Sequence, residues 1–179
     1  MSVTALALSI FALTFTIFSF WWMNWRKGSL KISNIRTYAA VSSQNKLMIE
    51  LPIIFFNHGA LPVLVDNLRL IFPDRGGPHS ALHFSATVEK LGTVEGRALA
   101  TPFAVHKGQA LLMICEFQRI RSGFVFEAQN YDIVIEALLG GAVEWKVIKT
   151  FQLKVRESQI KVLNTAFVAH DNEPQLTQP

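Results

Sequence analysis

Val143–Val155 reads VEWKVIKTFQLKV. Val143, Trp145, Val147, Phe151, Leu153 and Val155 alternate with Glu144, Lys146, Thr150, Gln152 and Lys154. A period of two sends successive side chains to opposite faces of a strand, so this stretch has one apolar and one wet face. Trp145 falls on the apolar face and is expected to be buried there. Lys149 is the one residue out of step.

The same period spreads outward from this stretch. Tyr131, Ile133, Ile135 and Ala137 alternate with Asp132 and Glu136, and Gly140-Gly141 turns the chain between the two runs. Leu82, Phe84, Ala86 and Val88 alternate with His83, Ser85 and Thr87. Lys46–Phe56 is a strong strand, and Pro52 within it predicts an edge position or a bulge, because proline lacks a ladder donor. Asn57-His58-Gly59-Ala60 is the clearest turn, since Asn and Gly tolerate positive φ. In Leu61–Phe72, Val63 and Val65 share one parity and Leu68, Leu70 and Phe72 take the other. One extra residue causes such a switch, which places a β-bulge near Asp66–Asn67. Gln109–Phe117 is nearly all apolar and reads as a central strand buried on both sides. Leu30–Ala39 is a first strand, and Pro102 interrupts a short one over Arg97–Val105. Ile160–Phe167 makes a further short strand or a helical turn.

This gives roughly seven to nine short strands with no sustained helical period between them, the pattern of an all-β, antiparallel β-sandwich. A small closed barrel is the alternative. At Phe56–Leu70, FNHGALPVLVDNLRL, an Asn-x-Gly turn precedes a Pro-hydrophobic strand and a second apolar pair. In this the chain resembles membrane-anchored Ig-like sandwich domains, and its rhythm is similar to that of plant late-embryogenesis-abundant type-2 domains. Tyr131–Ala137 and Glu144–Val155 fit the last hairpin of such a domain. The resemblance implies a fold and no activity. The Cys…Trp…Cys spacing of antibody domains is absent, because Cys115 is the single cysteine.

Ahead of the strands lies VTALALSIFALTFTIFSFWWM, Val3–Met23. Its 21 or so uncharged residues would make a helix of about 31 Å, the thickness of a bilayer's hydrocarbon core. Thr4, Ser9, Thr14, Thr16 and Ser19 are hydroxyls that can bond back to the preceding turn. Trp21, Trp22 and Trp25 gather where indole rings favour the headgroup level, and Arg26 and Lys27 end the span. These five residues are the expected membrane-interface anchors. A cleaved secretory signal is the rival reading. It calls for a basic n-region, a shorter apolar core and a small-x-small site, and the chain has none of these. The organisation is therefore a transmembrane anchor and joint over residues 1–28, a β-sandwich over 29–163 and a polar disordered tail over 164–179.

The net charge of +4 is diffuse, which argues against a nucleic-acid partner. Arg119 and Arg121 beside Phe117 and Phe124 imitate a basic-aromatic surface, but in alternating strands such phenylalanines are core. Cys115 lies in the apolar run LLMICEF and reads as a buried small hydrophobe. His79 and His83 stand four apart in loop and strand, about 13 Å if extended, too far for one metal ion. His58 and His106 sit in turns, and His170 in the tail. Ser122 lacks a nucleophile-elbow context. Glu50, Asp66, Glu116, Asp132 and Glu136 lie singly along the chain, although strands distant in sequence can bring carboxylates together. No cofactor or metal is expected.

These features point to a non-enzymatic interaction or scaffolding module held at a bilayer, with a protein partner. A tethered binder of an apolar ligand or lipid is a second reading. A loop-built enzyme, marked by a cluster of His58, Asp66 and His106, is a third. The Lys/Arg bias sets the side of the membrane: none precedes Val3, whereas Arg26, Lys27, Lys31 and Arg36 follow Met23. The β-domain is thus expected in the cytoplasm, with the exterior, where anchored sandwiches commonly sit, as the alternative. Protease added to spheroplasts should spare a tag placed after Pro179, and digestion without lysis would reverse the orientation.

Overall fold

The computed structural model describes residues 2–43, 45–93, 95–120 and 123–172. The apolar segment is a helix, α1 (Val3–Asn24). The strands among the described residues are β1 (Leu30–Ile32), β2 (Thr37–Ser43), β3 (Lys46–Asn57), β4 (Val63–Ile71), β5 (Leu82–Val88), β6 (Arg97–Leu99), β7 (Phe103–Val105), β8 (Ala110–Ile120), β9 (Asn130–Leu139), β10 (Lys146–Lys154) and β11 (Val168–Asp171). A short helix, α2 (Glu157–Leu163), separates the last two.

The strands pair antiparallel in one sheet of order β10-β9-β4-β5-β8-β3-β2-β11, with β1 beside β3, β6 beside β5 and β7 beside β4. This departs from the two separate sheets of an Ig-like sandwich: the sheet is continuous and curls into a half-barrel. The cause lies in its irregularities. Ladders shift register between Val65 and Asn67, between Phe84 and Ala86, and between Val147 and Lys149, and each bulge adds local twist. The first is the bulge that the parity switch predicts. β4 and β5 meet only at Arg69–His83 and Leu70–Leu82, then diverge, and β7 and β6 take up their free edges.

The concave face holds the core. Leu47, Ile49, Leu51, Ile53 and Phe55 point into it from β3 and meet Val65, Leu68, Leu70, Phe117, Ile133, Ile135 and Leu153. At one end Phe72, Phe124, Phe126 and Tyr131 close the interior, with ring centroids 5.0 to 6.0 Å apart. The two outer edges approach without a ladder and are joined by side chains. Asn172 accepts from Lys154 N at 2.9 Å and donates through Nδ2 to Ile35 O at 3.1 Å and Gln152 O at 2.9 Å. Tyr38 Oη donates to Lys154 O at 3.0 Å, and burial pushes its hydroxyl pKa up to about 12.

Several local expectations change. β3 is an inner strand, not an edge, and Pro52 lies where its flanking ladder is interrupted: pairing with β2 ends at Glu50 and pairing with β1 begins at Phe55. β8 is buried on both faces only at Cys115–Phe117; nearer its start Leu112 is 64% exposed. Trp145 precedes β10, is only half-buried, and lies over the Arg69 guanidinium at 4.3 Å. Val143 and Val147 are exposed, whereas Phe151 and Leu153 do face inward. Lys149 marks the bulge that reverses the face. The polar stretch expected as a tail from Asn164 is ordered to Asn172, because β11 pairs with β2 and Asn172 clamps β10; residues 173–179 lie outside the described residues.

The buried aromatic to truncate is therefore Phe117, which is 0% exposed, and not Trp145. Phe117→Ala should cost about 3–5 kcal/mol in denaturant melts and Trp145→Ala about 1 kcal/mol, the latter reflecting a lost cation–π contact. Equal losses would place Trp145 in the core after all.

Candidate functional site

Two groups of polar residues stand out. One lies where α1 meets the half-barrel, and the other beneath the β5–β6 connection.

No residue of α1 is buried, although the helix is apolar and uncharged along its whole length. Ser9, Thr14 and Thr16 donate to the carbonyls of Ala5, Ile10 and Ala12 at 2.8 to 2.9 Å, as hydroxyls in an apolar helix are expected to do. Trp21, Trp22 and Trp25 are exposed at its C-terminal end, and the Arg26 guanidinium stacks 4.5 Å from the Trp22 ring. Lys27 is exposed.

The chain then locks onto the β3–β4 turn. Ala60 N and Leu61 N donate to Arg26 O at 2.9 and 3.2 Å, His58 N donates to Ser29 O at 3.0 Å, and Arg26 Nη2 donates to His58 O. Lys107 Nζ, from the β7–β8 turn, donates to Met23 O at 2.6 Å. Such a cation at a helix C-terminus also offsets the helix dipole. Gly28 and Gly59 permit the approach. A Cβ on Gly59 would collide with Lys27 O and Gly28 Cα, and one on Gly28 with Val63 and, at 2.7 Å, Leu61 O.

Asn57, fully buried, organises these segments. Its Oδ1 accepts from Ser29 N at 3.1 Å and Gly59 N at 2.8 Å, and its Nδ2 donates to Leu61 O at 2.8 Å and Val105 O at 3.0 Å. Between the helix end and the turns lies a cleft of about 330 Å³, bordered by Trp22, Met23, Arg26, Phe56, His58 and Lys107 among others.

The second group rests on cross-strand neighbours. Glu50 of β3 lies directly opposite Glu116 of β8, at 0% and 3% exposure. Arg97 Nη2 reaches Glu50 Oε1 at 3.3 Å and Glu116 Oε2 at 2.7 Å. Gly92 N donates to Glu50 at 2.8 Å, and Ser85 Oγ to Glu116 at 2.7 Å. Burial holds the Glu50 carboxyl above its usual range, against the opposing pull of the Gly92 amide and the Arg97 guanidinium. The chain thus does pair carboxylates from distant strands. The residue that sequence reasoning missed is Arg97; its available signal was an acid at an outward position in each of two otherwise apolar strands. Both carboxylates are closed off by Arg97 and the β5–β6 connection, which suits a latch better than a site open to substrate.

The remaining residues are dispersed. Asp66 accepts from Gly141 N at 2.6 Å, at the β9–β10 turn, while His58 and His106 occupy the β3–β4 and β7–β8 turns. Asp132 accepts from Gln152 at 3.0 Å, and Glu136 pairs with Arg69 at 2.6 Å. His79 and His83 are exposed, and His170 Nε2 is buried against Tyr38 without a partner, its pKa lowered by that burial. Among the described residues no three His, Cys, Asp or Glu side chains come together to hold a metal ion. Cys115 is fully buried, and burial pushes its thiol well above the ordinary range. Phe117 and Phe124 belong to the core, as expected; Arg121 and Ser122 lie outside the described residues.

Removing Arg97 leaves two buried carboxylates facing each other. Arg97→Met should cost about 3 kcal/mol at neutral pH, the low end for breaking a buried pair because the guanidinium is partly exposed. A carboxyl whose folded pKa is raised contributes stability present below the ordinary carboxylate range and lost as pH rises through the higher folded value. The deficit of Arg97→Met should therefore shrink as pH falls through the raised value of Glu50. A deficit constant across that window in urea melts would show that the carboxyls are not the cause.

No family model matches the chain, and no curated protein matches it. A crystal structure of a protein from Archaeoglobus fulgidus resembles it with a TM-score of 0.37 and 8% identity, over 80% of this chain and 99% of that one.

Proposed function

We propose that the protein is a single-pass membrane protein whose half-barrel domain acts as a non-enzymatic interaction or scaffolding module, held at the cytoplasmic face with one attitude to the bilayer. The observation that carries this reading is α1: an uncharged 22-residue helix with no buried residue, tied directly to the base of the domain by the Arg26 and Lys107 bonds. A swinging tether would carry a flexible polar linker at this point, and here only a few residues separate the helix from β1.

The convex face supplies a surface for a protein partner. Ile54 and Leu112 lie opposite each other across β3 and β8 and are 40% and 64% exposed. An apolar ligand held inside the domain is less well supported, because Ile49, Phe55, Phe117 and Phe126 fill the concave face and are each at most 1% exposed.

Alkaline carbonate should leave the full chain in the membrane pellet, and purification in mild detergent should retain a protein partner in fixed ratio. Ile54→Asp with Leu112→Asp should release that partner while leaving the chain in the pellet. Extraction by carbonate would end the anchor reading, and a chain that purifies alone would end the interaction reading.

A further inference from the structure

We propose that the cleft at the helix–domain joint binds the phosphate of an anionic lipid headgroup, with Arg26 and Lys107 as its cations. This rests on the reading of α1 as a membrane span.

Three observations converge on the cleft. First, its charge is one-sided: Arg26 and Lys107 both border it, and none of its lining residues is acidic. Elsewhere Arg69, Arg75 and Arg97 each hold a carboxylate, whereas the Arg26 side chain bonds a backbone carbonyl of His58. Second, Arg26 Nε is buried and has no partner. A buried donor left unpaired is costly, and an acceptor entering the cleft would satisfy it. The guanidinium is already oriented by its bond to His58 O and its stacking on Trp22, so little freedom is lost on binding. Third, the cleft lies at the level of Trp21, Trp22 and Trp25, the depth at which indole rings meet headgroups. A lipid phosphate is at that depth without leaving the bilayer, and the Trp22 and Phe56 rings border the cleft where a glycerol backbone would follow.

The C-terminus of a helix is a poor place for an anion, because its free carbonyls carry partial negative charge. Here Lys107 Nζ occupies the Met23 carbonyl with one of its donors, and the ammonium keeps two more for a phosphate oxygen. Arginine matches a phosphate through its planar fork, and the lysine adds a point charge.

The test uses the full chain in a neutral detergent, titrated with phosphatidylglycerol, with phosphatidylcholine and with inorganic phosphate, and read by native mass spectrometry. One phosphatidylglycerol should bind per chain, more tightly than phosphatidylcholine, and inorganic phosphate should not displace it. Lys107→Gln and Arg26→Gln should each weaken it about tenfold, as the loss of one charge-assisted hydrogen bond predicts. Lys107→Gln removes an exposed side chain and keeps the test valid if Arg26→Gln disturbs the joint. Lys46→Gln, at the opposite end of β3, should change nothing. Equal binding of both lipids, or equal weakening by all three variants, would overturn the proposal. Displacement by inorganic phosphate would overturn the lipid as source and leave free phosphate as the ligand. Carbonate extraction separates the two failures: a chain retained in the pellet that binds no phosphatidylglycerol loses the headgroup site alone, and a chain released by carbonate loses the anchor.

Discussion

The joint between helix and half-barrel depends on one buried amide. Asn57 has two donors and two acceptor sites, and all are used, on three stretches of backbone: Ser29 ahead of β1, Gly59 and Leu61 in the β3–β4 turn, and Val105 at the end of β7. Backbone groups of loops normally find water; here the Asn57 side chain takes the place of solvent for four of them, the bonds to Gly59 and Val105 being buried. No other residue type offers that donor and acceptor set at that reach. Aspartate would turn two donors into acceptors aimed at carbonyls, and a hydrophobic residue would leave four groups unpaired. With Asn57 in place the turn closes onto Arg26, and the glycines at 28 and 59 let the two backbones meet.

The same device recurs at the other seam. A curled sheet with free edges exposes unpaired donors and acceptors, the usual route to unwanted pairing. Here the edges approach but do not align, and Asn172 spans them with bonds to Ile35, Gln152 and Lys154. The half-barrel is thus held at the joint by Asn57 and along its seam by Asn172 with Tyr38, not by strand ladders. Its interior is held by ordinary apolar packing, which fixes no direction of its own. The asparagines supply geometry, and the core supplies most of the free energy.

Those two devices also explain what could be read from the sequence. Alternation in Tyr131–Ala137 and Leu82–Val88, the turn at Asn57-His58-Gly59-Ala60 and the bulge at Asp66–Asn67 were legible because they are local. Lys149 was legible as a fault, but the fault was a bulge that turned Val143 and Val147 outward and left Ile148 packed against the core. Curling was not legible, since a sandwich and a half-barrel share one alternation and differ in how ladders diverge. Asn172 looked like part of a polar tail because its partners lie in segments far away along the chain. At the joint, Trp21, Trp22, Trp25, Arg26 and Lys27 were legible as one cluster closing the apolar run. Lys107 was not, because nothing local links a β7–β8 turn to the end of a helix.

The buried ion cluster adds a constraint of a different kind. Glu50 and Glu116 face the convex side of the sheet, where an isolated acid would stay solvated at little cost. Their burial follows from the β5–β6 connection lying across them, with Gly92 N on one carboxylate and Arg97 on both. Hydrophobic side chains would cover this face as stably; here the connection is held instead by directional bonds to Glu50 and Glu116. The connection is thereby fixed over β3 and β8 farther from the joint, while Ile54 and Leu112, nearer to it on the same strands, remain uncovered. One strand pair thus carries two surfaces: a sealed one that holds the domain's own chain, and an open one beside the end that joins α1.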